Sequence, residues 1–383
     1  MKILTVIGAR PQIIKASALS RAIKNHYNDK IEEVIVHTGQ HYDEMMSEVF
    51  FSQLQIPEPK YNLNIGSGSH GTQTAKMIEG LEQIILKESP DGVVTYGDTN
   101  STLAAAVAAS KIQVPIIHIE AGLRSFDKTM PEEINRILAD NVSTLLFTPT
   151  KAGYNNLLKE GFSAEIQSHP NFNTPNIYHC GDIMLDNTVY FRDIAINNNE
   201  YHKRFGNNFI LCTIHRNTNT DNKEKLSDIF ISLLEIAENQ RIILPLHPRT
   251  KKMIPQMLSS DLLSAVGSNK NIEIIDPVGY LEMIYLESES SLVITDSGGV
   301  QKEAYFLGKP CIILRPQTEW VEIVETKAAI IADTDKEKII NAYKTLSETQ
   351  MRQTIKENSK KNSLFGDGKA AEFICKTILD TLS

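Results

Sequence analysis

Short apolar runs, each followed by a turn and then by a segment of helical periodicity, recur along the N-terminal half of the chain. Ile3–Ile7 predicts a strand and Pro11–Ile23 a helix; Glu33–His37 predicts a strand and Asp43–Leu54 a helix. Helices over Thr72–Lys87 and Ser101–Lys111 precede strands over Gly92–Tyr96 and Pro115–Ile119, and a helix over Glu132–Val142, a strand over Leu145–Thr148 and a helix over Lys151–Glu160 complete the series. The stretch Gln167–Pro175 is polar, contains proline and has no period, so the domain boundary is placed there. The pattern then restarts. Strands are expected at Phe209–Thr213, Arg241–Pro245, Ile272–Ile275, Leu292–Thr295 and Cys311–Leu314. Helices are expected at Glu224–Asn239, Tyr280–Glu289, Val300–Leu307, Lys336–Leu346 and Lys369–Leu382. Such alternation predicts an α/β protein of two domains, 1–170 and 171–365, each with a parallel sheet covered by helices, and a ligand in the cleft between them.

Composition narrows the class. The 383 residues suffice for two domains. A net charge of −8 argues against a general nucleic-acid binder, although it permits a local basic pocket. Cys180, Cys212, Cys311 and Cys375 are scattered and form no paired motif, as expected of a reducing compartment. No apolar stretch approaches the roughly 20 residues of a membrane span, and the N-terminus carries no signal-peptide pattern. A cytoplasmic protein that engages neither nucleic acid nor membrane is expected.

The candidate chemistry sits where strands end. Thr295-Asp296-Ser297-Gly298-Gly299 joins a strand to a helix, and its glycines bare the first N–H groups of that helix to an anion such as phosphate. Glu303, one turn further, is spaced to reach a ribose hydroxyl. Gly8-Ala9-Arg10-Pro11 places Arg10, with Lys15, near another helix start. Asp98 in Gly97-Asp98-Thr99 is either a helix cap or an acid at the rim of a sheet. Glu120 ends an apolar strand, where a carboxylate needs a partner or a task. Glu132 is either an ordinary helix-opening residue or a third acid on the same rim, and three acids beside an anionic ligand suggest proton transfer. His215-Arg216 and His247 follow strands of the second half and suit a diphosphate, or are plain surface residues. No spacing of His, Cys or Asp suggests a metal site.

Taken together, GARPQIIK at 8–15, HTGQH at 37–41, GDTNSTLA at 97–104, HIEAGLRS at 118–125, PEEINR at 131–136, HR at 215–216 and TDSGGVQKEA at 295–304 resemble the non-hydrolysing UDP-N-acetylglucosamine 2-epimerases over nearly the whole length. The resemblance implies a GT-B type fold of two Rossmann-like domains, with a C-terminal helix at about 366–383 returning to the first. It implies a homodimer, no metal and no nicotinamide. The implied reaction inverts C2 of a UDP-linked 2-acetamido sugar by anti elimination of UDP to a 2-acetamidoglucal and re-addition, in the supply of surface polysaccharide precursors. By motif match, Asp98, Glu120 and Glu132 move protons and stabilise charge at the ring. His215, Arg10 and Lys15 stabilise the departing diphosphate; Ser297, Gly298 and Gly299 hold phosphate, and Glu303 holds the ribose. A glycosyltransferase or a non-catalytic UDP-sugar sensor on the same fold is the alternative of another class.

The sequence also departs from the family pattern. Many members carry TERPE where this chain has Thr318-Glu319-Trp320-Val321-Glu322, and GTRPE where it has Gly8-Ala9-Arg10-Pro11-Gln12. Both departures resemble the branch acting on UDP-2,3-diacetamido-2,3-dideoxyglucuronate, so the resemblance leaves two sugars open. Tyr42-Asp43-Glu44-Met45-Met46 and Ser69-His70-Gly71-Thr72 lack the basic and amide residues of substrate-activated members, which argues against an allosteric substrate site.

Overall fold

A computed structural model of the chain describes residues 1–40, 51, 54–361 and 364–382, without the side chains of 360 and 361. His41 and Tyr42–Met46 lie outside the described residues, as does nearly all of the helix expected over Asp43–Leu54. The chain forms two compact units: Met1–Asn187 with Leu364–Ser383, and Thr188–Ser363. The sequence pattern put the break after residue 170. In the structure, the stretch that follows stays with the first unit, because Asn176–His179 adds a strand to its sheet.

The first unit is built on seven strands: β1 (Lys2–Ile7), β2 (Glu32–His37), β3 (Tyr61–Asn62), β4 (Gly92–Tyr96), β5 (Ile116–Ile119), β6 (Leu145–Thr148) and β7 (Asn176–His179). Their order is β3-β2-β1-β4-β5-β6-β7, and every pairing is parallel. The strands read as unbroken apolar runs because helices cover both faces. The helices that bear on the site are α1 (Arg10–Ala22), α2 (His70–Glu88), α3 (Asn100–Lys111), α4 (Pro131–Asn141) and α5 (Lys151–Lys159). Ala104, Ala105, Ala106, Ala108 and Ala109 of α3 are wholly buried; their small side chains let the helix lie close to the sheet core of Leu4, Val6 and Val93 and to Met77 and Leu81 of α2.

The second unit repeats the design with β8 (Phe209–Thr213), β9 (Ile242–Pro245), β10 (Ile272–Ile275), β11 (Ser290–Thr295), β12 (Cys311–Ile313) and β13 (Ala329–Ile331). Their order is β10-β9-β8-β11-β12-β13, again all parallel. Both sheets therefore add strands first to one side and then to the other. The reversal falls between β1 and β4 in the first unit and between β8 and β11 in the second. The crevice at the carboxyl ends of such a strand pair is where open α/β sheets bind ligands.

The C-terminal helix (Ala370–Leu382) lies with the first unit, against α1. Asp186 caps it, accepting the N–H groups of Ala370 at 3.2 Å and Ala371 at 2.8 Å. Burial pushes the Asp186 carboxyl up to about 6, against the opposing pull of those two donors. An acid whose folded pKa is raised contributes stability at low pH that is lost as pH rises through the folded value. Between pH 4 and 7 the protein is therefore expected to lose on the order of 2 kcal/mol of stability that Asp186→Asn does not lose. Denaturant unfolding of both proteins across that range measures the difference; parallel pH profiles would refute it.

Candidate active site

In the first unit, the turn after β1 is fastened to the end of β4 by one buried side chain. Gln12 accepts the N–H groups of Gly8 at 2.9 Å and Ala9 at 3.2 Å through its amide oxygen. Its amide nitrogen donates to the Tyr96 carbonyl and to Thr102 Oγ1, both at 3.0 Å. A glutamate could accept those two N–H groups but could not donate to the Tyr96 carbonyl. Glutamine at this position is thus accounted for by the fold of the crevice itself.

The acids gather around two cations. Thr99 caps α3 through its hydroxyl, so Asp98 is not consumed as the cap. Asp98 pairs with Arg136 of α4 at 2.5 Å, and the same guanidinium pairs with Glu133 at 2.5 Å. Burial alone would lower the Arg136 pKa, but Asp98, Glu133 and Glu120 together outweigh it and raise the value. Glu120 therefore lies within electrostatic reach of Arg136 while making an ion pair with Lys15. Lys15 and Glu120 have side chains only 11% exposed, which strengthens their attraction over that of a surface pair.

Backbone conformation sets these groups in place. Gly97 has φ +62°, and a Cβ there would sit 2.9 Å from Glu120 Oε2 and 3.1 Å from Lys15 Nζ. Glycine is required both by the conformation and by the approach of the ion pair. Glu120 itself has φ +71°, uncommon for a side-chain-bearing residue, and its N–H and that of Ala121 both donate to the Phe147 carbonyl at 3.0 Å. The chain leaves β5 by turning Glu120 toward the rim.

A buried cluster lies behind. His118 bonds Asp140 through Nδ1 at 2.7 Å and donates from Nε2 to the Gly97 carbonyl at 2.8 Å, while Arg124 pairs with Asp140 at 2.7 Å and with Glu160 at 2.7 Å. Burial would raise the Asp140 carboxyl, but His118 and Arg124 hold it below the ordinary value. Glu132 is exposed in the first turn of α4, one residue before the buried Glu133 that shares Arg136. Glu133 also accepts the N–H groups of Ser125 and Phe126 at 2.9 and 3.0 Å, which anchors the loop after β5. Arg10 opens α1, half-buried, beside the same crevice.

In the second unit, Asp296 organises the crevice between β8 and β11. It is wholly buried, accepts the N–H groups of His215 at 3.1 Å and Arg216 at 3.0 Å, and receives Asn219 Nδ2 at 3.1 Å. His215 Nδ1 lies 3.0 Å from the same carboxylate. Burial would raise the Asp296 pKa, but the His215 ring and the two N–H groups outweigh it and lower the value. His215 is thereby oriented while its side chain stays 45% exposed. Arg216 Nε is buried and meets no acceptor among the described residues. His247, at the end of β9, uses Nδ1 to cap the helix Pro248–Met257, accepting the Arg249 N–H at 3.3 Å.

Ser297 caps the helix Gly298–Phe306, and Gly298 is buried behind it while Gly299 is exposed. The helix start already faces an anion from the chain itself. Glu319, paired with Arg315 at 2.8 Å, lies so close to Gly298 that any Cβ there would collide with its carboxylate. Trp320 is 4% exposed, and the Lys302 ammonium sits 4.2 Å from its ring centre, a cation–π contact within the second unit. Glu303 is buried, 6% exposed, one turn into the helix.

The structure thus brings Asp98, Glu120, Lys15 and the turn carrying Arg10 to one crevice, and His215, Arg216, Ser297 and Gly298 to the other. Sequence reasoning missed Arg136, Asp296 and Gln12. Each lies inside a motif it had marked, and the only signal was its place in that motif, since the partners of Gln12, Arg136 and Asp296 come largely from distant loops. Among the described residues no group of three or more His, Cys, Asp or Glu is arranged to hold a metal ion, and no helix is long and apolar enough to cross a membrane.

Two parallel α/β units, one with an acid-lined crevice and the other with a helix start built for an anion, define an enzyme that acts on a phosphorylated ligand. The family model described as UDP-N-acetylglucosamine 2-epimerase matches residues 22–379. The chain is 47% identical to the UDP-2,3-diacetamido-2,3-dideoxy-D-glucuronate 2-epimerase of Pseudomonas aeruginosa over 381 residues, 98% of this chain and 100% of that protein. The Methanocaldococcus jannaschii UDP-GlcNAc 2-epimerase, solved in complex with UDP-GlcNAc and UDP, shares 44% identity at a TM-score of 0.82, covering 98% and 99% of the two chains. The Neisseria meningitidis UDP-GlcNAc 2-epimerase, solved bound to UDP-GlcNAc, shares 30% identity at a TM-score of 0.84, covering 99% and 100%. The chain belongs to the non-hydrolysing UDP-N-acetylglucosamine 2-epimerase family. It has the family's two-domain GT-B type fold and is a UDP-sugar 2-epimerase.

Gly298→Ala is expected to weaken UDP binding at least tenfold, because the new methyl group takes the space at the helix start that the Glu319 carboxylate now fills and that a diphosphate replacing it would need. Isothermal titration with UDP measures this. Wild-type affinity in the variant would show that the diphosphate does not approach this turn.

Proposed function

We propose that the protein interconverts UDP-GlcNAc and UDP-ManNAc, with the acids of the first unit working on the sugar and the rim of the second unit holding UDP. The supporting observation is the convergence of Asp98 and Glu120 on Lys15 and Arg136. The C2 proton of a 2-acetamido sugar has no adjacent carbonyl to acidify it. Cleavage of the C1–O bond to UDP must therefore lead, building positive charge at C1 and the ring oxygen. A rim carboxylate stabilises that charge and another takes the C2 proton, leaving a C1–C2 double bond and free UDP. Return of a proton to the opposite face of C2 and re-addition of UDP at C1 complete the inversion. The two faces need two proton-transfer groups, and Asp98, Glu120 and Glu132 supply the set.

The cations do two tasks on this reading. Lys15 and Arg136 are engaged by Glu120, Asp98 and Glu133, which keeps those carboxylates in position. His215, Arg216 and the Ser297–Gly299 turn, with Arg10, neutralise the departing diphosphate, and Glu303 receives the ribose. Displacement of Glu319 from the start of the helix accompanies UDP binding. Because the cations beside the acids are already matched by protein carboxylates, an uncharged sugar suits this rim better than one bearing a further carboxylate. That favours UDP-GlcNAc, and with it a role in supplying precursors for surface polysaccharides.

A second reading, epimerisation of UDP-2,3-diacetamido-2,3-dideoxyglucuronate, is supported by the 47% identity to the Pseudomonas aeruginosa enzyme over its full length and by Gln12 and Trp320. Incubation with each UDP-sugar in D2O, followed by NMR at C2, separates the readings. Epimerisation with deuterium at C2 is expected for UDP-GlcNAc. Exchange only with the diacetamido uronate would transfer the assignment to the second reading, and sugar transfer to an acceptor with C2 untouched would remove both. Glu120→Gln is expected to leave UDP affinity within about threefold while lowering turnover by at least a hundredfold, a typical loss for removal of a proton-transfer group. Unchanged turnover would exclude Glu120 from the chemistry.

A further inference from the structure

The second unit holds a buried carboxyl group for which the proposed chemistry has no use. Glu287 lies in the helix Tyr280–Glu289, which packs on β8, β11 and the helix Gly298–Phe306. Its side chain is wholly buried, and neither carboxyl oxygen receives a hydrogen bond from any donor among the described residues. Among the described residues no cation is found near it; the polar group it meets is the carboxyl of Glu303, itself 6% exposed. Two buried carboxylates in contact cannot both be charged. Burial, and then the neighbouring Glu303 charge, push the Glu287 carboxyl well above the usual carboxylate range. Glu303 sits nearer the rim, so the proton resides on Glu287, where its hydroxyl can donate to the Glu303 carboxylate.

We infer that Glu287 is a positioning residue for ribose recognition: as a neutral acid it donates a hydrogen bond to Glu303 and holds that carboxylate in the orientation that receives the ribose hydroxyls of UDP. The inference rests on the reading that Glu303 binds the ribose. A carboxylate used for recognition gains selectivity when its orientation is fixed before the ligand arrives, because no rotamer entropy is then lost on binding. An apolar residue in place of Glu287 would fill the same space yet remove this donor from Glu303, and an ionised one would repel it.

The test compares affinities for UDP, 2′-deoxy-UDP and 3′-deoxy-UDP in wild type, Glu287→Met, Glu287→Gln and Glu303→Gln, alongside KM and kcat for the UDP-sugar. In Glu303→Gln the preference for UDP over at least one deoxy analogue is expected to collapse. In Glu287→Met the same preference is expected to fall about tenfold, the worth of a hydrogen bond to a charged group, with the change in KM rather than kcat. Glu287→Gln, which keeps a donor, is expected to restore the preference to within about threefold of wild type. Preference retained in Glu287→Met but lost in Glu303→Gln would overturn the role of Glu287 and leave the ribose reading standing. Preference retained in Glu303→Gln would overturn the ribose reading and the inference with it. Infrared difference spectra of wild type minus Glu287→Gln at neutral pH provide a check that does not depend on the methionine variant folding. The carbonyl stretch of a protonated carboxyl group is expected, and its absence would overturn the inference.

Discussion

Each sheet reverses its order of strand addition once, and the placement of every candidate group follows from that constraint. A parallel sheet that grows first to one side and then to the other leaves two adjacent strands whose following loops diverge to opposite faces. The gap between those loops is open, polar and floored by backbone. In the first unit it lies between β1 and β4, and Gln12 fastens it from beneath. In the second it lies between β8 and β11, and Asp296 does the same by gathering the N–H groups of His215 and Arg216. In both, one buried polar side chain from one loop satisfies the backbone of the other, so the crevice keeps its shape when empty.

The two crevices manage charge differently. The first confines carboxylates, which are costly so close to a buried sheet edge, and offsets Glu120 and Asp98 with cations from α1 and α4. Lys15 reaches from α1 to Glu120, and Arg136 reaches from α4 to Asp98 and Glu133. Such pairs add little net stability, since desolvation consumes most of the attraction, but losing one partner leaves the other charge buried. Their consequence is geometric: they fix carboxylate orientations at a rim where chemistry needs them fixed. In the second crevice a diphosphate, on the proposed reading, would meet helix N–H groups and the Arg216 cation rather than a cluster of lysines, in keeping with a chain of net charge −8.

What the sequence made legible follows the same physics. The strands could be read because parallel strands covered on both faces are uninterrupted apolar runs, and Gly92–Tyr96, Leu145–Thr148, Phe209–Thr213 and Ile272–Ile275 have the expected bounds. β7 escaped because Asn176 and His179 give its ends the look of a loop; the Asn176 side chain is wholly buried, bonding Gln167 across the turn, which no local pattern announces. Asp98 could be read as a cap or as an acid because both roles favour the position, and only the Thr99 hydroxyl at the helix start separates them. Asp296 stood within the most conspicuous motif without a role, since its partners come from a loop some 80 residues earlier. Glu287, in a helix that carries two other glutamates, gives no local sign that the group it meets is the distant Glu303.

The departure at Trp320 can now be placed in this scheme. Where the family pattern set out above has an arginine, this chain buries an indole under the Lys302 ammonium and leaves Glu319, one residue earlier, against the start of the helix Gly298–Phe306. An indole carries no positive charge, and the nearby cation, Lys302, is turned inward onto its aromatic face. The neighbouring carboxylate then serves as the anion for an otherwise bare helix terminus, with Arg315 neutralising it from the other side. A diphosphate entering this turn must displace one anion to become the next. On the proposed reading, UDP affinity is set by the difference between two anions at one helix start, not by the attraction of either alone. The proposed mechanism, in which UDP stays bound after the C1–O bond breaks and the UDP-sugar product must still leave, is suited by that arrangement: Glu319 can re-occupy the helix start as the diphosphate leaves, which lowers the cost of release without weakening the groups proposed to hold UDP during the reaction.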